Sequence, residues 1–159
     1  MSLSLDGKTL AIGAPSNDGN GSAAGHVRVY HMEGIGSSWK QLGQDIDGGA
    51  AGDDSRRSVA LSSDGKTLAV GAHLNDGNGV GSGHVRVYYM EGPGSSWKQL
   101  GQDIDGEAAG GNSGVSVALY ADGKTSAIGA IYNDGNGDDA GHVRVYHMEG
   151  TGSSWKQLG

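Results

Sequence analysis

The chain has 159 residues, of which 32 are Gly, only 2 are Pro and none is Cys. Abundant Gly without a Gly-X-Y period excludes collagen, and the lack of Cys excludes disulfides and thiolate metal sites. The formal net charge of −7 argues against non-specific binding to nucleic acid or anionic lipid. No apolar run approaches the ~18 residues that a membrane-spanning helix needs, so we expect no membrane insertion.

Three copies of one unit follow each other along the chain. The string DGKT begins at Asp6, Asp64 and Asp122, so the copies are 58 residues apart, and GHVRVY and SSWKQLG recur at the same spacing. Units of this kind bury their apolar faces against neighbouring copies. We therefore divide the chain into five segments: blade 1 at 1–43, a linker at 44–57, blade 2 at 58–101, a linker at 102–115 and blade 3 at 116–159.

The second copy shows the predicted elements in chain order. Residues 58–62 predict a first strand, and the Asp-Gly pair at residue 64 predicts a hairpin turn, because Asp-Gly favours positive φ. Residues 67–72 are nearly all apolar and predict a strand buried on both faces. After a Gly- and Asn-rich loop, residues 84–90 alternate in polarity and predict a third strand, and 96–100 predict a fourth. No segment has an apolar 3.6-residue period, so we expect essentially no helix.

Four short antiparallel strands per copy predict an all-β fold of β-propeller blades. A single sheet cannot bury both of its faces, so each blade must pack against its neighbours. One Trp recurs in every copy, and we predict that it fills the gap between blades. The alternative is a platform for a sugar ring, which would require an exposed indole. The three residues are Trp39, Trp97 and Trp155.

One Arg recurs in the third predicted strand of every copy, flanked by Val on both sides. We predict that it forms an ion pair with an acid of the next blade, such as Asp47 or Asp105. The alternative is an exposed stripe of positive charge that contacts a partner. These residues are Arg28, Arg86 and Arg144.

The order of motifs in each copy resembles the FG-GAP repeat. The resemblance rests on SVALSSDGKTLAVGA from Ser58, the Gly/Asn loop, the GHVRVY strand and SSWKQ. It is nearest to the bacterial and algal branch, and more distant from the blades of integrin alpha subunits. It implies a β-propeller, commonly of six to eight blades, used for extracellular adhesion or ligand binding. Ser113-Gly114 stands where the family has Phe-Gly, and the calcium-cage loop is reduced to the Asp64 turn.

The Gly/Asn loop of the third copy suggests a calcium site. Asp134, Asn136 and Asp138 lie at positions i, i+2 and i+4, and Ca²⁺ prefers oxygen ligands. The other interpretation is a loop of residues that readily adopt left-handed backbone conformations. Calcium is the one cofactor that the sequence suggests.

The histidines indicate no catalytic residue, because most of them recur in every copy, whereas an active site is usually unique to one. We therefore predict that the chain is not an enzyme. The alternative is an enzyme with its site on the propeller axis, for which the titratable residues particular to one copy are the candidates. These are Arg56, Arg57, Glu107, Asp138 and Asp139.

The sequence predicts a non-enzymatic binding or adhesion module, or a structural scaffold. A carbohydrate- or calcium-binding propeller is the alternative. Three blades do not close a ring, so we expect either a homodimer of two half-propellers with six blades or further blades of a longer chain. The ligand would be a protein or a glycan. The resemblance implies an extracellular or cell-surface location, although the opening residues predict no signal peptide.

Overall fold

The computed structural model describes residues 1–14, 25–34, 36–49, 58–150 and 154–159. Throughout these ranges the chain consists of strands, turns and loops, and it forms three antiparallel sheets of four or five strands, one per copy. The predicted all-β fold of propeller-type blades is confirmed. No described helix is long and apolar enough to span a membrane.

The first sheet has the strand order β1-β2-β3-β4, and β5 also pairs with β3. The second sheet repeats this arrangement with β6-β7-β8-β9, and β10 pairs with β8. The strand bounds are β1 Ser2–Leu3, β2 Thr9–Ala14, β3 His26–His31, β4 Lys40–Gln41, β5 Ile46–Asp47, β6 Ser58–Leu61, β7 Thr67–Ala72, β8 His84–Tyr89, β9 Lys98–Gln99 and β10 Ile104–Asp105.

The third sheet has the order β11-β12-β13-β14, with longer outer strands and a register shift between Ser113 and Ser116. Its strands are β11 Ser113–Leu119, β12 Thr125–Ala130, β13 His142–Glu149 and β14 Ser154–Leu158. The strands predicted for the central copy match β6, β7, β8 and β9, apart from shorter ends. The expectation of burial on both faces holds for β7, in which every residue is buried.

The segments predicted to be linkers contain strands. β5 lies within 44–57 and returns to pair with β3, and β10 lies within 102–115 and returns to pair with β8. β11 begins at Ser113, before the predicted start of blade 3. The first described part of each linker therefore extends the sheet that precedes it. Because these strands are only two residues long, their sequence pattern is too short to be recognised.

The core consists of two apolar layers, each lying between consecutive sheets. The third strand of one sheet supplies Val27 and Val29, and the next sheet covers them with Leu68, Met90 and Trp97. The second layer repeats this arrangement between the second and third sheets. The central sheet is thus packed on both faces, and each outer sheet is packed on one.

The sheets have two distinct ends. The hairpins around residues 6–8, 64–66 and 122–124 lie together, since the Leu5 N–H donates to the Ser63 carbonyl and the Ser63 N–H donates to the Ala121 carbonyl, both at 3.0 Å. We call this the turn end. The opposite, loop end carries the described segments 73–83, 106–112 and 131–141.

Candidate functional site

The indole of Trp97 forms the joint between the first and second sheets. Its side chain is buried, and its Nε1–H donates to the carbonyl of Leu42 at 2.9 Å. Gln44 donates from Nε2 to the Trp97 carbonyl at 2.9 Å, and its Oε1 accepts from the Trp97 N–H at 3.0 Å. Because these bonds cross between sheets, the position of Trp97 is set by the neighbouring sheet.

The joint between the second and third sheets has the same construction. The Trp155 Nε1–H donates to the Leu100 carbonyl at 2.8 Å, and Gln102 bridges both backbone groups of Trp155. Trp155 is buried like Trp97, so neither indole is available for stacking on a sugar ring. Trp39, in the first sheet, is exposed.

Each joint requires a Gly where the indole approaches. Gly101 has a φ of +77°, and a Cβ there would lie 3.0 Å from Cδ1 of Trp155 and 2.9 Å from Cε of Met148. Gly43 has the same conformation beneath Trp97. The Leu-Gly pair is therefore a socket that accepts the indole of the following sheet.

In the first two sheets the recurring Arg of the third strand pairs with an acid of its own sheet, so the predicted pairing of Arg28 and Arg86 with Asp47 or Asp105 of the next blade is wrong. Arg86 donates from Nε and Nη2 to Asp103 at 2.8–3.0 Å, and Arg28 binds Asp45 at 2.8–3.0 Å. The register that sets His84 opposite Asp105 also sets Arg86 opposite Asp103.

The ion pairs lower the pKa of both carboxyls. Burial is the largest single effect and acts to raise the pKa of Asp103, but the hydrogen bonds and the charge of Arg86, together with the hydrogen bond from Gln99, outweigh it and leave the pKa below its ordinary value. The hydrogen bond from Arg28 is the main cause of the lowered pKa of Asp45. Both aspartates are therefore ionised near neutral pH.

Arg144 contacts the preceding sheet. Its Nη1 forms an ion pair with Glu107, which lies in the segment after β10. This pair joins the second and third sheets near the loop end. Glu107, a candidate for an axial catalytic site, has this charged partner, whereas Arg56 and Arg57 lie outside the described residues.

His84, Asp103 and Asp105 bring their side-chain nitrogen and oxygens within 4.8 Å of one another, and they are the only cluster of three or more His, Asp or Glu with this spacing in the described part of the chain. Both oxygens of Asp103 already accept hydrogen bonds from Arg86. A cation would therefore compete with a guanidinium for the same carboxylate. We interpret the cluster as an ion-pair network of the second sheet.

The predicted calcium ligands lie in the exposed 131–141 loop. The Asp134 carboxylate accepts the N–H of Asp139 at 2.8 Å, and Asp139 has a φ of +53°. The equivalent Asp76 accepts the N–H of Gly81 at 2.7 Å. Asp134 thus stabilises its own loop, as Asx side chains commonly do. Calcium binding by Asp134, Asn136 and Asp138 stays a prediction.

A cleft of about 270 Å³ opens between the loops at the loop end. Exposed Tyr132 supplies an aromatic wall, and Glu107 and Asp134 supply carboxylates. The lining residues are Glu107, Ala108, Ala109, Gly111, Tyr132, Asn133, Asp134 and Gly135. Tyr132 was not singled out from the sequence, although variation between the copies could have indicated it. Ser16 and Leu74 occupy its position in the other copies, whereas the strand segment 26–30 has the same sequence in all three.

Among the residues that the structure describes, positive and negative charges are distributed unequally between the two ends. Every Lys lies at the turn end, either in a hairpin, as Lys66 does, or opposite the last part of the third strand, as Lys98 does opposite Tyr89. The described loop-end segments contain acids and neither Lys nor Arg. These acids are Asp76, Glu107, Asp134, Asp138 and Asp139.

Comparison with known proteins supports this architecture. Residues 47–88 match the family model of the FG-GAP repeat. The FG-GAP resemblance is confirmed. The match runs from the end of β5 in the first sheet through β6 and β7 into β8 of the central sheet, and the motifs that carry it recur in the other copies. No curated protein matches the chain.

Among solved structures, a protein from Bacteroides uniformis described as a 6-phosphogluconolactonase is similar, with a TM-score of 0.62 and 16% sequence identity. The match covers 99% of this chain and 38% of that one, so the chain spans less than two-fifths of its relative's length. At 16% identity this similarity supports a shared fold and does not extend to function.

The same comparison corrects the prediction that the chain is not an enzyme. A fold similar to this one occurs in a protein described as a lactonase, an enzyme. The prediction rested on the repetition of histidines in every copy. Such repetition preserves the stacking of sheets and says nothing about residues at their ends, so it does not exclude catalysis.

Proposed function

We propose that the chain is a binding module whose acidic loop end holds a positively charged protein surface, with the stacked sheets as its scaffold. The FG-GAP repeat supports a binding or scaffold role. It also supports an extracellular setting, where adhesion would be the use of such a surface. The observation that carries the proposal is the separation of charge between the two ends.

The turn end is close to neutral, because its lysines lie near acids of the same hairpins. Lys156 contacts Glu149 at 2.6 Å and Lys40 contacts Glu33 at 3.4 Å. The Arg86 and Asp103 charges likewise compensate each other in the middle of the sheet. The net negative charge of the described residues therefore concentrates at the loop end, where it attracts a basic partner and steers its approach.

The loop end also exposes the kinds of side chain that are found in contact surfaces. Leu74, Ile131 and Tyr132 expose apolar side chains there, between the acidic positions. Exposed aromatic and aliphatic groups beside charges are typical of recognition surfaces. The loops differ between copies while the sheets they join are nearly identical, which suits a rigid scaffold that presents variable binding loops.

An octalysine peptide tests the proposal, with an octaglutamate peptide as the reversed-charge probe. We expect octalysine to bind and octaglutamate not to bind, and the affinity to fall as salt rises. The double variant Asp138→Asn/Asp139→Asn should weaken octalysine binding at least threefold. Asn is well suited to the positive φ at residue 139, so the loop should keep its conformation.

The matched control is Glu33→Gln/Glu91→Gln, which removes the same amount of negative charge from the turn end. We expect it to change octalysine affinity by less than the loop-end variant does. Equal weakening by both double variants would show that only net charge matters. Equal binding of the two peptides would refute the proposal.

A further inference from the structure

The first sheet presents an apolar face that no other described residue covers. Its members occupy positions that are buried in the central copy: Trp39 is 41% exposed where Trp97 is 4%, and Ile12 is 36% exposed where Val70 is 6%. Leu3, which corresponds to buried Leu61, is exposed as well. We call Leu3, Ile12 and Trp39 the Trp39 face.

The third sheet presents the opposite kind of face. Val143 is 68% exposed, whereas the equivalent Val27 and Val85 are 1% and 0% exposed. Leu158, at the position of Leu42 and Leu100, is exposed too. We call Val143, Leu158 and Gly159 the Val143 face.

The two internal joints show how such faces combine. In each joint, the indole of one sheet enters the Leu-Gly socket of the preceding sheet and donates to the Leu carbonyl. Gly159 has a φ of +87°, close to the +77° of Gly101. At Gly101 the Trp155 indole lies against the Cβ position, whereas nothing lies within 4 Å of the Cβ position of Gly159. Leu158 and Gly159 therefore form a socket like the two internal ones, and no described residue fills it.

A second contact between neighbouring sheets recurs at the turn end, where a hairpin Gly of one sheet meets a Thr of the preceding sheet. Gly65 packs against Thr9 of the preceding sheet, and Gly123 packs against Thr67. Gly7, the equivalent in the first sheet, has no neighbour within 4 Å of its Cβ position, and Thr125 of the third sheet is only partly buried. The outer sheets thus carry complementary halves of this contact as well.

We propose that the Trp39 face of one copy docks on the Val143 face of a second copy, with the Trp39 indole N–H donating to the Leu158 carbonyl. The contact is heterologous, because it joins two different surfaces. A second copy is the occupant that the structure favours, since it carries the same socket residues that cover Trp97 and Trp155 internally. Two copies joined at both ends would place six sheets in one closed ring.

Light scattering on the 159-residue chain at 200 µM tests the proposal. We expect a particle of at least twice the 16.1 kDa chain mass. Ile12→Lys disables the Trp39 face, and Val143→Lys disables the Val143 face. Each substitution places a charge in the docking surface at a position that is exposed in the single chain, so each variant should fold and remain a single copy. Leu74→Lys, an exposed loop-end control, should associate like the unaltered chain.

Mixing the two variants separates this arrangement from a symmetric one. The Ile12→Lys chain keeps an intact Val143 face, and the Val143→Lys chain keeps an intact Trp39 face. The mixture should therefore form one-to-one pairs, although each variant alone does not associate. Circular dichroism verifies that both variants are folded. An unaltered chain with single-copy mass, or folded variants that stay apart when mixed, would overturn the proposal.

Discussion

The indole N–H of Trp97 donates to the carbonyl of Leu42, which lies in the preceding sheet. This bond is one of two between sheets that have the same form, the other joining Trp155 to Leu100. A side chain buried in this way gains both apolar contact and a satisfied donor. The joints between sheets therefore contribute to the stability of the fold.

Replacement of Trp97 measures the strength of a joint. Trp97→Ala should lower the free energy of unfolding by about 3–5 kcal/mol, because it leaves a cavity and an unpaired Leu42 carbonyl. Trp97→Phe keeps most of the ring and should cost less. Trp39→Ala is the matched control and should change stability by about 0.5 kcal/mol or less in the single chain, since that indole is exposed. Urea unfolding at low protein concentration gives all three values; equal losses at residues 39 and 97 would refute this account.

Gly101→Ala tests the socket. The substitution adds a Cβ that meets both Trp155 and Met148, in a backbone conformation that L residues avoid. We expect a loss of more than about 1 kcal/mol in unfolding free energy. Gly150 also has a positive φ, of +64°, but nothing lies within 4 Å of its Cβ position. Gly150→Ala therefore measures the backbone strain alone, and a loss as large as that at Gly101 would show that the indole contact adds nothing.

Acid should weaken the Arg86–Asp103 pair. The pKa of Asp103 in the folded chain lies below its ordinary value of 3.8, so the stability it contributes is complete above that value and is lost as the pH falls through the lower folded pKa. The unfolding free energy of the unaltered chain should fall more steeply below pH 3.8 than that of Asp103→Asn. Asp45 provides a residual slope in both. Parallel curves for the unaltered chain and Asp103→Asn would contradict the prediction.

The ion pair between Arg144 and Glu107 should couple the second and third sheets only weakly. Both side chains are partly exposed, and pairs of this kind contribute about 0.2–1 kcal/mol. A double-mutant cycle with Arg144→Gln and Glu107→Gln should give a coupling energy in that range, and one that decreases in 1 M salt. A coupling energy above about 2 kcal/mol, insensitive to salt, would indicate a buried pair and refute this interpretation.

The strands and hairpins followed from local pattern. Alternation of apolar residues and the Asp-Gly turns predicted β6, β7 and β8 within a residue or so at each end, because these signals act between near neighbours in the chain. Local pattern did not predict the partner of Arg86. Asp105 and Asp103 are both close in sequence, and only the register of β10 against β8 selects Asp103.

The loop end was predictable only in part. Glu107, Asp138 and Asp139 stood out as residues particular to one copy, and the structure places all three there. Their neighbour Tyr132 and the cleft that it lines depend on how the 131–141 loop folds against the 106–112 segment, a contact between parts of the chain that are distant in sequence.

The sequence by itself determined three copies of one antiparallel unit and the residues each unit offers to a neighbour. Only the tertiary structure decided what those residues do. Trp39 and Trp97 lie in the same local sequence, yet one is exposed and the other buried. Burial depends on whether another sheet lies against the side chain, and that is a property of position in the stack, not of the residues around the Trp.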